Sequence, residues 1–191
     1  MAYTTYTTEA LVCGTFVRNT ADASYLLFTR EAGMLYADAR SVREERSRQR
    51  YALQDFSLLR VSLVKGKGGW KIGSIESIRN YYQQANSKSA RGSVVSVVRL
   101  LRRFLKGEEV MTGLFDLAKD GLETLLKETT ERAFIEEVVK LRMLALLGYV
   151  DRNKIPAELT GECSNIAAHY DDKLEKAISQ LYAHAVDVSH L

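Results

Sequence analysis

The chain has 191 residues, enough for one large domain or two small ones, with 46% apolar residues, 27% charged residues and a formal net charge of +3. Its two cysteines, Cys13 and Cys163, are far apart, which excludes a four-thiolate zinc site and a disulfide framework and fits a reducing, cytoplasmic setting. No apolar run approaches the roughly 20 residues needed to cross a bilayer, and the first ten residues lack the pattern of a signal peptide. The charge is unevenly spread. Residues 1–91 carry fourteen Lys/Arg against eight Asp/Glu, whereas residues 92–191 carry thirteen against sixteen. The first half is therefore expected to face a polyanion.

Residues up to about 78 read as β structure. Tyr3, Tyr6, Leu11, Val12, Phe16 and Val17 supply the aromatic and β-branched side chains of a first strand. Asn19-Thr20-Ala21-Asp22 is a turn signal before SYLLFT, and Glu31-Ala32-Gly33 is a second turn before MLYADA. A basic loop follows, expected to be flexible. It carries Arg40, Arg43, Arg46, Arg48 and Arg50, opposed only by Glu44 and Glu45. FSLLRVSLV then alternates close to period two, Gly66, Gly68 and Gly69 make a turn, and WKIGSI is a fifth strand. Five strands in about 75 residues predict a small closed barrel of the OB type, with an SH3-like barrel as the main rival.

Beyond Tyr81 the period changes to that of helices. Residues 86–89 read as a linker or helix start. SVVSVVRLLRRFLKG places Val94, Val97, Val98, Leu101 and Leu105 on one face, and Gly107 is the expected residue after its C-cap. Two further helical patterns run through Leu114–Leu125 and Phe134–Leu147, the latter closing at Gly148. A last helix is expected from about Asn165 to Ala185. The predicted architecture is α+β in two domains: an OB-fold barrel over residues 1–80 and an all-α domain over residues 81–191.

The arginine loop carries the functional reading. Five guanidinium groups within eleven positions suit phosphate oxygens, which arginine can grip bidentately. Lys65, Lys67 and Lys71 continue the basic track. Tyr25, Tyr36, Tyr51 and Trp70 lie in or beside it. Of these, Tyr51 and Trp70 are the candidates for stacking on bases. Arg99, Arg102, Arg103 and Lys106 form a possible secondary basic face, which is either a solvated helix surface or a second contact for nucleic acid or an acidic peptide. Catalytic patterns are missing. The three histidines, His169, His184 and His190, have no metal-ligand spacing, the glycines near Lys67 lack the ending of a P-loop, and no serine or cysteine has an elbow context. No enzyme activity, metal or cofactor is expected. A protein-interaction adaptor and an RNA-binding OB protein are the alternatives to a DNA binder, since phosphate contacts and stacking do not separate RNA from DNA.

The run LFTREAGMLYADARSVREERSRQRYALQDFSLLRVSLVKGKG resembles the amino-terminal domain of the bacterial recombination mediator family RecO. The matching features are the turn Thr29-Arg30-Glu31-Ala32-Gly33, the basic loop, the run Leu53-Gln54-Asp55-Phe56-Ser57-Leu58-Leu59 and the glycine-containing hairpin. LRMLALLGY, residues 141–149, is similar to the helix that closes the family's helical domain. The resemblance implies an OB-fold followed by a helical domain, binding of single- and double-stranded DNA, and annealing of complementary strands. It also implies partnership with RecR and with the C-terminal tail of the single-strand-binding protein SSB, so as to help load RecA. Many family members carry a four-cysteine zinc site after the LLGY helix. Here that stretch reads VDRNKIPAELTGEC with Cys163 alone, so no structural zinc is expected, and the chain is short for the family near this point.

Overall fold

The computed structural model describes residues 4–127 and 129–188. Tyr3 and His190, both named above, lie outside them. Five strands form a closed barrel in the order β1-β2-β3-β5-β4. They are β1 (Thr4–Val17), β2 (Ala23–Thr29), β3 (Gly33–Ala39), β4 (Ser57–Gly66) and β5 (Gly69–Asn80). All neighbours are antiparallel except β3 and β5, which run parallel. This is the five-stranded OB topology rather than an SH3-like one. A four-residue helix, α1 (Gln49–Ala52), interrupts the long β3–β4 connection, and another, α2 (Tyr81–Gln84), follows β5.

β1 makes the barrel possible because it is long enough to pair twice. Residues 4–11 pair with β4, residues 10–17 pair with β2, and the register shifts between Val12 and Gly14. A bulge of this kind bends a strand and raises its twist, which lets one strand turn from one neighbour to the other. The interior is filled by alternating residues: Ala10 and Val12 from β1, Tyr25 and Leu27 from β2, Leu35 and Ala37 from β3, Leu59, Val61 and Leu63 from β4, and Trp70 from β5.

The chain forms two compact units, one of residues Met1–Gln84 with Lys106–Thr112, the other of Ala85–Leu105 with Gly113–Leu191. The first unit therefore takes back a short strap after the first long helix. Gly33 is why the strap can lie where it does. It has φ +69°, and a Cβ there would come within 2.3 Å of the Glu109 carbonyl oxygen. The neighbouring Met34 N–H donates to the Gly107 carbonyl at 2.9 Å.

The second unit is helical: α3 (Lys88–Phe104), α4 (Thr112–Leu125), α5 (Arg132–Leu146) and α6 (Asp172–Val188), with three short 3-10 segments between α5 and α6. Ser87 caps α3 by accepting from the Ala90 N–H. Two sequence expectations shift here. Gly107 is not the residue after the cap: α3 ends at Phe104 because Leu105 turns to an extended conformation, and Gly107 belongs to the strap. The last helix starts at Asp172 rather than near Asn165, because residues Cys163–His169 wind as a 3-10 segment and Tyr170 is extended. Gly148 does close α5 as expected. With φ +83° it donates to the Ala145 carbonyl, while Tyr149 donates to Leu144, the paired bonds of a Schellman end. No helix among the described residues is long and apolar enough to cross a membrane.

Gly33→Ala is expected to destabilise the protein by about 1–3 kcal/mol, from the positive φ and the clash with the strap together. Gly68→Ala, whose added Cβ meets nothing within 4 Å, serves as control. Urea unfolding of the two variants checks this, and equal midpoints would show that the strap does not need a bare backbone at Gly33.

Candidate nucleic-acid interface

The arginine loop leaves β3 at Arg40 and is pinned rather than flexible. Val42 is 1% exposed and Leu53 3% exposed, both within the barrel core cluster. Ser41 N–H donates to Asp22 Oδ1 at 2.8 Å and Arg43 N–H to the Ala21 carbonyl at 2.9 Å, which ties the loop to the β1–β2 turn. The Asn19 amide and the Ser41 N–H hold the Asp22 carboxyl below its ordinary pKa, so Asp22 stays a charged anchor. Gln49 on α1 donates to the Gly73 carbonyl at 2.9 Å. The loop is thus presented on a rigid base, which lowers the ordering cost of a ligand contact.

The five arginines are not equivalent. Arg43 donates to the Asn19 carbonyl and serves the loop's own structure. Arg46 pairs with Glu44 at 2.9 Å while remaining highly exposed, and the Ser41 hydroxyl and Arg46 together lower the pKa of Glu44. Arg50 sits 4.7 Å from the Tyr51 ring centroid and donates to the Tyr51 hydroxyl at 2.6 Å. Arg40 and Arg48 are exposed, with no ion pair among the described residues. Arg40 and Lys71 line one open cleft of about 520 Å³ together with Arg18, Asn19, Asp22, Asp38 and Gln49. Arg18 pairs with Asp38 at 3.1 Å. The structure therefore brings Arg40 and Lys71 together and adds Arg18, which the sequence reading passed over. Its one signal was its place immediately before the β1–β2 turn, a connection that OB barrels commonly use to hold ligands.

Lys67 is exposed at the β4–β5 turn. Lys65 and Trp70 form a different arrangement. Trp70 is 6% exposed and part of the barrel core, with Tyr6 edge-on at 5.5 Å and the Lys65 ammonium 4.8 Å from the ring centroid. Its indole N–H donates to Glu108 Oε1 at 2.9 Å, and Lys65 reaches Glu108 Oε2 at 2.7 Å. Glu108 comes from the strap, and no sequence signal pointed to it. Trp70 is thus held inside the barrel rather than presented as an open ring face. Arg99, Arg102 and Arg103 are exposed on α3, which carries five basic and no acidic side chains over its length. Lys106 is exposed too, but lies in the strap, in the other unit.

In the helical unit, a pocket of about 220 Å³ is lined by Leu117, Ala145, Leu146 and Ile155, with Arg142 and Arg152 at it. Arg142 donates to the Thr160 carbonyl at 2.8 Å. Burial, reinforced by Asp120 against the opposing effect of Arg142, pushes the Cys163 thiol up to about 12, so it stays a neutral thiol. Among the described residues no three His, Cys, Asp or Glu side chains come together as a metal site.

Residues 1–81 match the family described as Recombination protein O N terminal, the whole of the barrel. Over its barrel the chain is similar to the RecO family. A DNA repair protein RecO from Caldanaerobacter subterraneus subsp. tengcongensis is 27% identical over 145 residues, covering 75% of this chain. That alignment spans 58% of the relative's length. The RecO-like barrel is also where the cleft, the arginine loop and the Trp70 contact are found.

The Glu108 contact has a pH signature. Hydrogen bonds from Lys65 and then Trp70 lower the Glu108 pKa below 4.5, so the strap's anchoring is fully present above pH 4.5 and is lost as pH falls through the lower folded value. Trp70 is the sole tryptophan, so its emission reports on this contact directly. A step in emission with a midpoint below pH 4.5 is expected, absent in Glu108→Gln. A midpoint at or above 4.5 would show that the carboxylate is not stabilised by these donors.

Proposed function

We propose that this protein is a DNA-binding recombination mediator of DNA repair, with the barrel as its DNA-holding part. The observation that carries this reading is the rigid basic cleft of Arg18, Arg40 and Lys71, continued by a loop bearing Arg46 and Arg48, on a RecO-like OB barrel. Guanidinium and ammonium groups there would neutralise successive phosphates and release their counterions. Arg50 with Tyr51, and Lys65 and Lys67 beyond the cleft, extend the basic surface. Annealing of complementary strands follows physically: a surface that lowers the charge of two strands lets them approach within the distance at which pairing wins over repulsion. The exposed arginines of α3 offer a second place for a strand on the other unit.

The partners belong to the same proposal. The pocket of Leu117, Ala145, Leu146 and Ile155 suits an apolar side chain at the end of an acidic peptide, with Arg152 exposed at the wall to receive a carboxylate. That chemistry is the one expected of the SSB tail. In this reading the protein, with RecR, gives RecA access to SSB-coated DNA, and its work is binding rather than bond-making. Capture of the tail without DNA would instead favour an adaptor.

Binding to a labelled DNA single strand is expected to fall with salt along a log–log slope near about −3, from four phosphates at roughly −0.7 each. Replacing Arg40, Arg46 and Arg48 by alanine should flatten it to about −1, as read by fluorescence anisotropy across a salt series. An unchanged slope would remove the loop from the interface, and a matched RNA bound equally tightly would favour the RNA reading. For the pocket, Arg152→Glu is expected to weaken a peptide of the SSB tail about tenfold or more by calorimetry, the loss of one charge-assisted hydrogen bond.

A further inference from the structure

Ten large apolar or aromatic side chains are exposed among the described residues, and two of them stand apart. Phe16 on β1 and Tyr36 on β3 are 39% and 57% exposed, and their ring centroids are 5.6 Å apart with planes tilted by 59°. Neither belongs to the barrel core. Tyr25, Leu27, Leu35 and Ala37 point inward, so by strand alternation Ser24, Leu26 and Tyr36 lie on the outer face. Phe16 is registered with Ser24 and Tyr36 with Leu26, and both of those β2 residues are buried. The two rings therefore reach toward each other across β2 and leave a solvated aromatic surface on the outside of the barrel.

Single exposed apolar side chains need no explanation, but two rings in contact beside a basic cleft do. The surface is continuous with that cleft through short chain steps. Arg18 follows Phe16 by two residues and Asp38 follows Tyr36 by two, and their ion pair forms part of the cleft wall. The other rings near the basic track are already engaged. Trp70 is buried, Tyr51 is exposed but has the Arg50 guanidinium over one face of its ring, and Phe56 and Tyr82 stack on each other at 5.4 Å and 23°. A tilted pair, unlike a stacked one, does not use up its own ring faces.

We infer that Phe16 and Tyr36 are the base-stacking platform of the barrel and set its preference for unpaired strands over duplex. The inference rests on the nucleic-acid reading above and adds the residues that discriminate strand type. Phosphates in the cleft at Arg18, Arg40 and Lys71 place the sugar–phosphate chain, and the bases turn toward the rings on β1 and β3. A duplex offers the same phosphates, but its bases are stacked on one another and paired, so the rings gain nothing from it. The cleft supplies salt dependence, and the rings supply the difference between one strand and two.

The test uses the full chain, a fluorescein-labelled twenty-nucleotide oligothymidine and a labelled duplex of equal length, across one shared salt series. For the double variant Phe16→Ala/Tyr36→Ala, single-strand affinity is expected to fall tenfold or more, about 1.4 kcal/mol, with duplex affinity within twofold and both salt slopes unchanged. The separate variant Tyr36→Trp, which keeps an aromatic ring, is expected to retain single-strand binding. Its tryptophan emission should be quenched by unlabelled oligothymidine but not by unlabelled duplex. It carries the test if the double variant does not fold. An equal loss for both DNAs, no loss for either, or emission from the Tyr36→Trp variant that is indifferent to oligothymidine overturns the platform. Absence of binding by the unaltered protein to either DNA overturns the nucleic-acid reading itself, and this inference with it.

Discussion

The barrel closes along its shortest seam. β3 and β5 meet in parallel through only two registered pairs, Ala37 with Trp70 and Asp38 with Lys71, whereas the antiparallel neighbours pair over most of their length. Each residue at that seam does more than pair. Ala37 and Trp70 fill the core, and Asp38 and Lys71 line the cleft. The inside and the outside of the seam are thus fixed together: a shift of one residue would turn Trp70 out and Lys71 in, at a cost of both a lost indole contact and a buried charge.

Two devices hold this short seam. One is the strap, which returns from α3 to place Glu108 against Trp70 and Lys65. The other is the arginine loop, whose Val42 and Leu53 enter the core and whose backbone is tied to the β1–β2 turn through Asp22. Both are irregular in sequence: the loop gains its order from the buried Val42 and Leu53, and the strap from the charge-assisted hydrogen bonds of Glu108, rather than from regular structure. The cleft is therefore framed by chain segments that the core itself holds in place.

Division of labour among the basic residues follows from what each already touches. Arg43 and Lys65 are engaged in structure, Arg50 is shared with Tyr51, and Arg40, Arg48, Lys67 and Lys71 face solvent. The same distinction sorts the aromatics. A buried ring has no face to offer, so the exposed Phe16 and Tyr36 count for more than the larger Trp70. Charge in the helical unit is arranged differently. Lys140 and Glu136 pair at 2.9 Å in a largely buried setting with Lys140 over the Tyr182 ring, an arrangement that orders helices rather than holding a ligand.

Much of the fold was legible in the sequence because local signals and the global answer agree. The turns at residues 19–22 and 31–33, the period-two run of β4, the apolar stripes of α3, α4 and α5 and the glycine ending α5 each act over a few residues, and periodicity reports them faithfully. The cluster of arginines was equally plain, since composition alone shows an excess of charge. What the tertiary structure decided was which side each residue faces and what it meets there. The bulge in β1, the inward register of Trp70, the return of the strap with Glu108, and the meeting of Phe16 with Tyr36 across β2 all depend on pairings between residues distant in the chain. No local pattern encodes such pairings, because they arise only when a closed barrel brings distant strands to one face.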